Sequence, residues 1–189
     1  RSKLNKELLG LWKYNDEDSF WCGYIIDYNE TLIKIQHYTK YGKPDGIIIA
    51  QLANIKSVDF DDDYAKAMQV VIDYADEIEK ETNFDITLSE NDNWDFEIIK
   101  KLEGNFDILS SIEISNSDYF SGFITEVTET DFIIRCVGKM GEDEGSVIYK
   151  IEDITGFKIN DIDNRKRCLL YKWRKAKLAD DKTQRKYLA

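Results

Sequence analysis

Histidine and cysteine, which supply many catalytic bases, nucleophiles and zinc ligands, are scarce in this sequence. Its 189 residues include one histidine, His37, and three cysteines, Cys22, Cys136 and Cys168. The cysteines are far apart and lack the paired spacing of zinc sites, and as nucleophiles they would share a single histidine as a base. We therefore expect a non-catalytic protein with no metal and no cofactor. The odd number of cysteines favours a reducing compartment, so the expected location is the cytoplasm.

Long apolar runs and nucleotide-binding motifs are also absent. No segment approaches the roughly 20 apolar residues that a membrane-spanning helix needs, and the N-terminal residues show no signal-peptide pattern. The glycines form no phosphate-binding loop or dinucleotide fingerprint. Asp61, Asp62 and Asp63 could collect a hard cation, but capping of a helix explains these carboxylates more simply. We expect neither a membrane nor a nucleotide as a ligand.

The chain is acidic overall but basic at its C-terminal end. The formal net charge is −11, yet from Arg165 onward there are ten lysines and arginines and two aspartates. Such clustered cations could contact phosphate, form the solvated face of a helix, or pair with the acidic remainder of the chain. The candidate binding residues in this segment are Arg165, Lys166, Arg167, Lys172 and Arg174.

An internal repeat relates residues 20–60 to residues 119–159 at a constant offset of 99. Ten of the 41 aligned pairs are identical, and most of these are turn glycines or isoleucines in alternating positions. Such residues define a folding unit and not a catalytic site. We therefore predict two domains, residues 1–88 and residues 89–189.

Alternation of apolar residues predicts antiparallel strands in each repeat, joined by polar turns. Gly23 and Gly122 are expected to mark a bulge or a bend in the first strand of each hairpin. Helical spacing and capping residues predict helices over residues 61–80, over residues 93–102, and from about residue 164 onward.

Two stretches of each repeat resemble the motifs of Sm and Lsm-like proteins. The first stretch is a glycine followed by apolar residues and a turn, and the second is a glycine followed by two apolar strands. The residues are Gly23, Ile25, Tyr28, Asn29, Gly46–Ile49 and Ile55–Val58 in the first copy, and Gly122, Ile124, Val127, Thr128, Gly145–Ile148 and Ile154–Phe157 in the second. The resemblance implies an α+β, mainly β protein with two small, strongly bent antiparallel barrels of SH3/Sm-like type, each followed by a helix. Uncharacterised bacterial proteins with a repeated barrel look similar.

Crowded aromatic residues in the first module favour a recognition surface. The candidates are Trp21, Tyr24, Tyr38 and Tyr41, which could contact a protein or stack on bases; packing in the core is the alternative for Trp21 and Tyr24. On an acidic body, such a surface favours a basic protein partner. We therefore predict a binding or adaptor protein, with an immunity-type inhibitor of a nucleic-acid-degrading toxin as a specific version.

RNA binding is the alternative function that the Sm resemblance implies. It would use the barrel aromatics together with the basic C-terminal segment. In Sm proteins an arginine precedes the glycine of the second motif, whereas Asp45 and Glu144 stand at that place here. The acidic body and these two residues make a protein the favoured partner.

Overall fold

The structure of the chain is a computed structural model that describes residues 6–14, 16–81, 83–87 and 93–187, without the side chains of residues 16–19 and 180–187. The chain divides into two units, Arg1–Glu77 and Ile78–Ala189. The boundary predicted at residues 88 and 89 lies outside the described residues.

The first unit is built on a five-stranded antiparallel sheet that is followed by a helix. The strand order across the sheet is β4-β3-β2-β1-β5. The elements are β1 (Leu9–Lys13), β2 (Asp16–Tyr28), β3 (Leu32–Tyr38), β4 (Pro44–Gln51), a 3-10 turn (Leu52–Asn54), β5 (Ile55–Phe60), α1 (Asp63–Asp73) and α2 (Ala75–Glu79). Asp62 caps α1, because its Oδ1 accepts a hydrogen bond from the N–H of Ala65 at 2.6 Å.

The second unit has the same arrangement, with a further helix before its sheet. Its strand order is β10-β6-β7-β8-β9. The elements are α3 (Trp94–Leu102), β6 (Ser110–Ile114), β7 (Tyr119–Val127), β8 (Asp131–Val137), β9 (Asp143–Lys150), a 3-10 turn (Ile151–Asp153), β10 (Ile154–Ile159) and α4 (Ile162–Tyr187). The prediction of an α+β, mainly β fold with two antiparallel sheets, each followed by a helix, is confirmed. None of the helices in the described residues is long and apolar enough to span a membrane.

From the third strand of each unit along the chain to the start of the following helix, the bounds of the elements recur at an offset of 99 residues. β3 at Leu32–Tyr38 recurs as β8 at Asp131–Val137, and the next strands and the 3-10 turns keep the same offset. β4 and β5 are the edges of the first sheet, and β9 and β10 are the edges of the second. Among the described residues no ladder joins the two edges of a sheet, so closure into barrels stays a prediction.

Gly23 and Gly122 lie where the neighbouring strand leaves no room for a side chain. A Cβ atom on Gly23 would lie 2.1 Å from the carbonyl oxygen of Gln36, and one on Gly122 would lie 2.1 Å from that of Arg135. The irregular register falls later along the strand, after Ile25 and, in the second unit, after the equivalent isoleucine. Contrary to the prediction, the glycines therefore do not mark the irregularity but allow the close approach of two strands.

Each sheet has its own apolar core. In the first unit Leu9 and Leu11 of β1 pack with Ile33 and Ile35 of β3. The core of the second unit is larger, because α3 adds apolar residues to those of the strands. The residues that α3 buries are Ile98, Ile99 and Leu102.

The helix predicted to reach about residue 80 is interrupted at Tyr74. Its φ of −114° and ψ of 22° end α1, and α2 begins at the next residue. The acidic side chains are consistent with this break, because Asp73 is unfavourable at the negative end of the α1 dipole, whereas Asp76 and Glu77 are favourable in the first turn of α2.

Candidate functional site

The arginines among the predicted binding residues lie on α4 and bind backbone carbonyl oxygens of the second unit. Arg165 Nη1 donates to Asn160 at 2.6 Å, Arg167 Nη1 to Val137 at 2.8 Å, and Arg174 Nε to Met140 at 2.8 Å. The neighbouring Lys166 is buried. These side chains attach α4 to the turns and strand ends beneath it.

Lysines farther along α4 form ion pairs with aspartates of the same unit. Lys172 Nζ lies 2.6 Å from Asp107 Oδ1, and Lys175 Nζ lies 2.7 Å from Asp143 Oδ2. Pairing of the basic segment with the acidic remainder is one of the alternatives that the sequence left open. Contact of these residues with phosphate stays a prediction.

Asp143 is the most strongly held of these carboxylates. Arg135 Nη2 donates to its Oδ2 at 2.6 Å, and the ammonium group of Lys175 approaches the same oxygen. These two hydrogen bonds hold the pKa of Asp143 well below its usual range. Through its ion pair with Lys175, Asp143 therefore links α4 to the start of β9.

Replacement of Asp143 by asparagine is expected to lower the free energy of unfolding at pH 7 by about 1 kcal/mol, because the ion pair is partly solvated. A carboxyl group whose pKa is lowered on folding stabilises the folded state above its unfolded pKa, near 3.9. That contribution is lost as the pH falls through the lower folded pKa, so the difference between the two proteins should shrink below about pH 4. Urea unfolding across this pH range measures it.

Asp118→Asn is the matched control, because Asp118 is exposed and its replacement removes the same charge. This control should change the free energy of unfolding by less than about 0.5 kcal/mol. Equal losses in the two variants at every pH would contradict the assigned role of Asp143.

The predicted aromatic residues do not form one continuous surface. Trp21 packs against the core of the first sheet, and the ammonium group of Lys13 lies 4.7 Å from the centre of its ring. Tyr24 is three residues further along β2 and so points to the opposite face of the sheet. There its hydroxyl group donates to Gln69 Oε1 of α1 at 2.5 Å.

Tyr38 packs on Tyr24, and Tyr41 follows in the next turn. The rings of Tyr24 and Tyr38 meet edge to face, with centroids 5.6 Å apart. Tyr41 is in the turn between β3 and β4, and the ammonium group of Lys40 lies 4.7 Å from the centre of its ring. All three tyrosines are partly exposed, so their binding role stays a prediction.

Exposed isoleucines on the edge strands β4 and β9 are a feature that sequence reasoning missed. Ile47 and Ile49 of β4 are 54% and 64% exposed, and Ile148 of β9 is 65% exposed. Ile49 and Ile148 are an identical pair of the repeat. Alternation of apolar residues predicts a strand but does not distinguish an edge from the middle of a sheet, which is why the exposure was not foreseen.

Sequence reasoning also missed a cavity of about 230 Å³ in the first unit, between the sheet and α1. Its aromatic lining comes from Trp12, Phe20 and Tyr64, and Asp59 and Asp62 are the carboxylates among its lining residues. These residues come from β1, β2, β5 and the start of α1, so no local motif marks the cavity. Comparison of the two repeats could have drawn attention to this place, because Asp59 aligns with Lys158 and the charge at the position is therefore reversed.

The residues considered for catalysis are not brought together. His37 Nδ1 lies 3.3 Å from Asp45 Oδ2, and all three cysteines are buried and unpaired by disulfides. Burial, with a smaller effect of Asp62, raises the pKa of Cys22 to about 11, so the thiol is neutral at pH 7. Within the described ranges, no three His, Cys, Asp or Glu side chains converge as ligands of a metal ion would.

No protein-family model matches the chain, and no curated protein sequence matches it closely. Its function is therefore inferred from its own residues.

Proposed function

We propose that the chain is a non-catalytic binding protein that docks a protein partner along the exposed edge strands β4 and β9. The observation that carries this proposal is the exposure of Ile49 and Ile148 at the same position of the two edge strands. Large apolar side chains on an edge strand favour aggregation unless a partner covers them. Their recurrence in both repeats supports a shared docking mode.

An extended segment of the partner would add a strand to the edge of a sheet. The backbone groups on the outer side of β4 and β9 supply hydrogen bonds for such an addition, and the isoleucines supply apolar contacts to alternate side chains of the partner. Both strands carry acidic residues near their beginning, among them Asp45 in β4 and Glu144 in β9. A basic partner would complement them.

We propose that each sheet curls into a small SH3/Sm-like barrel and that the protein works in the cytoplasm. The register irregularities and the 3-10 turns between the last two strands of each sheet support a strongly bent sheet. An inhibitor of a cationic nucleic-acid-degrading toxin is the specific version that fits the acidic surface.

RNA binding has less support from the contacts of the basic segment. Lys172 and Lys175 pair with aspartates, and Arg165 and Arg167 bind carbonyl oxygens. A phosphate group would have to compete with these contacts. The protein-binding proposal needs no such rearrangement.

Capture from a native cell lysate, run both with and without nuclease, tests the proposal. The wild-type chain is expected to retain a protein in stoichiometric amount, and Ile49→Lys or Ile148→Lys should weaken its retention about tenfold or more, because a charge would be buried in the contact. Circular dichroism checks that each variant is folded.

Leu178→Lys is the control for this capture, because Leu178 is 54% exposed and belongs to α4, not to an edge strand. It should retain the partner as the wild type does. Retention that is the same for all four proteins would exclude the edge strands, and retention of RNA that disappears with nuclease would favour the RNA-binding alternative.

A further inference from the structure

The cavity of the first unit combines aromatic walls with carboxylate groups. The rings of Trp12 and Phe20 stack with centroids 4.8 Å apart, and Tyr64 meets Phe20 edge to face at 5.1 Å. Asp59 Oδ2 accepts a hydrogen bond from Trp12 Nε1 at 2.5 Å. Asp62 lies at the cap of α1 and also lines the cavity. The electron-rich faces of aromatic rings and nearby carboxylates are the groups that bind organic cations.

The corresponding place in the second unit is filled by a side chain. Gly10 pairs with Cys22 in the first sheet, and Ser111 pairs with Ser121 in the second. At the position of Ala65 the second unit has Asn164, which is fully buried. Gly10 and Ala65 thus line an open space in the first unit, where the second unit has the larger Ser111 and Asn164.

Asn164 closes that space through hydrogen bonds. Its Oδ1 accepts from the hydroxyl group of Ser111 at 2.9 Å, and its Nδ2 donates to the carbonyl oxygen of Lys158 at 2.9 Å. Ala65 has no polar atoms in its side chain and cannot make either contact. The two hydrogen bonds of Asn164 are therefore a specific difference between the units.

The second unit also places its own ammonium group on the equivalent aromatic ring. Tyr119 aligns with Phe20, and Lys158 aligns with Asp59. Lys158 Nζ lies 4.0 Å from the centre of the Tyr119 ring. The first unit reverses the charge at this position, because a carboxylate stands where the second unit carries the cation.

We propose that the cavity of the first unit binds an alkylammonium group, which takes the place that Lys158 occupies in the second unit. Trp12 and Phe20 would contact the cation and its methylene groups, and Asp59 would neutralise its charge. A volume of about 230 Å³ is below the range of about 300 to 1,000 Å³ of drug-sized pockets, so a side chain or a small amine fits better than a large ligand.

The charge of the cavity suits this ligand. Burial, with smaller effects of Cys22 and Asp62, raises the pKa of Tyr64 to about 12, and burial also keeps the Cys22 thiol protonated at pH 7. Asp59 and Asp62 are the acidic side chains of the lining. This site lies apart from the exposed isoleucines of β4, so the proposal does not depend on docking at the edge strands.

Titration with two ammonium compounds tests the proposal on the full chain. The probes are n-butylammonium and Nα-acetyl-lysine amide, with n-pentanol as a neutral analogue, and the reporter is the indole N–H signal of Trp12 in a proton–nitrogen NMR spectrum, assigned with Trp12→Phe. Both ammonium probes should shift this signal with saturation, and n-pentanol should bind about tenfold more weakly or not at all.

Variants of two lining residues complete the test. Asp59→Asn should weaken binding of the ammonium probes about tenfold, and Asp59→Lys, which imitates Lys158, should abolish it. Ala65→Asn, which imitates Asn164, should also abolish binding of the ammonium probes. If Ala65→Asn does not fold, the Asp59 variants still test the proposal, because Asp59 is exposed and its replacement should not prevent folding. Asp118→Asn should bind as the wild type does.

The source of the ammonium group follows from the two probes. Tighter binding of the lysine amide by about tenfold would indicate a polypeptide ligand, whereas equal binding would indicate free amines. The proposal is overturned if neither ammonium probe shifts the Trp12 signal, if n-pentanol binds equally well, or if both Asp59 variants bind unchanged.

Discussion

Replacement of Gly122 by alanine is expected to lower the free energy of unfolding of the second unit by about 3 kcal/mol or more, one of the two largest effects predicted for this chain. The added Cβ atom would lie 2.1 Å from the carbonyl oxygen of Arg135 and 2.9 Å from Ile134 Cγ1. Both contacts belong to the paired strand β8, so relief requires β7 and β8 to separate. Urea unfolding followed by circular dichroism measures the loss.

Gly145→Ala is the control that separates a steric clash from a general effect of losing glycine. Gly145 has a φ of +87°, and a Cβ atom there would have no neighbour within 4 Å. Its replacement should cost only about 1 kcal/mol, from the unfavourable backbone conformation. If Gly122→Ala lowers the free energy of unfolding by no more than Gly145→Ala does, β7 and β8 can move apart at little cost.

Replacement of Asn164 by alanine is expected to cost about 2 to 4 kcal/mol, because it combines a lost buried hydrogen-bond network with a new cavity. The hydroxyl group of Ser111 and the carbonyl oxygen of Lys158 would lose their partner. Ser111 would keep its contact with Ser121 at 2.7 Å, which limits the loss. The same unfolding experiment measures it.

Asn105→Ala provides the comparison for Asn164, since it removes the same amide from a partly exposed place. Asn105 Oδ1 accepts a hydrogen bond from the N–H of Asp107 at 3.0 Å. Its loss should cost about 1 kcal/mol or less, because water replaces the partner. If both replacements cost the same, burial of the Asn164 amide contributes nothing measurable.

The parts of the fold that the sequence predicts are those with local signals that occur twice. Gly42 and Gly141 recur with positive φ in equivalent turns, and the strands on either side keep the predicted offset. β1 was not predicted in the first unit. In the ladders, Gly10 of β1 is opposite Cys22, and Ser111 of β6 is opposite Ser121. Equivalent residues of β1 and β6 are therefore 101 positions apart, not 99. An alignment without gaps cannot match them.

The candidate sites were harder to predict, because they depend on which elements meet. Trp12, Phe20 and Asp59 are distant in sequence and come together only because β1 lies between β2 and β5. Similarly, Ile49 is an ordinary strand residue until the strand order places β4 at an edge. Composition identified an excess of aromatic residues, but it could not separate those that pack in the core, such as Trp21, from those that line a cavity.

The matching strand order of the two sheets has a consequence for folding of the chain. The ladders between β3 and β4 and between β8 and β9 have the same register, so the backbone of a strand from one unit can form the equivalent ladder with the other unit. During synthesis the first sheet is complete once residue 60 has emerged, before its competitor exists. A chain diluted from denaturant presents both copies at once, so strand exchange should make refolding in the test tube slower and more prone to misassembly than folding on the ribosome.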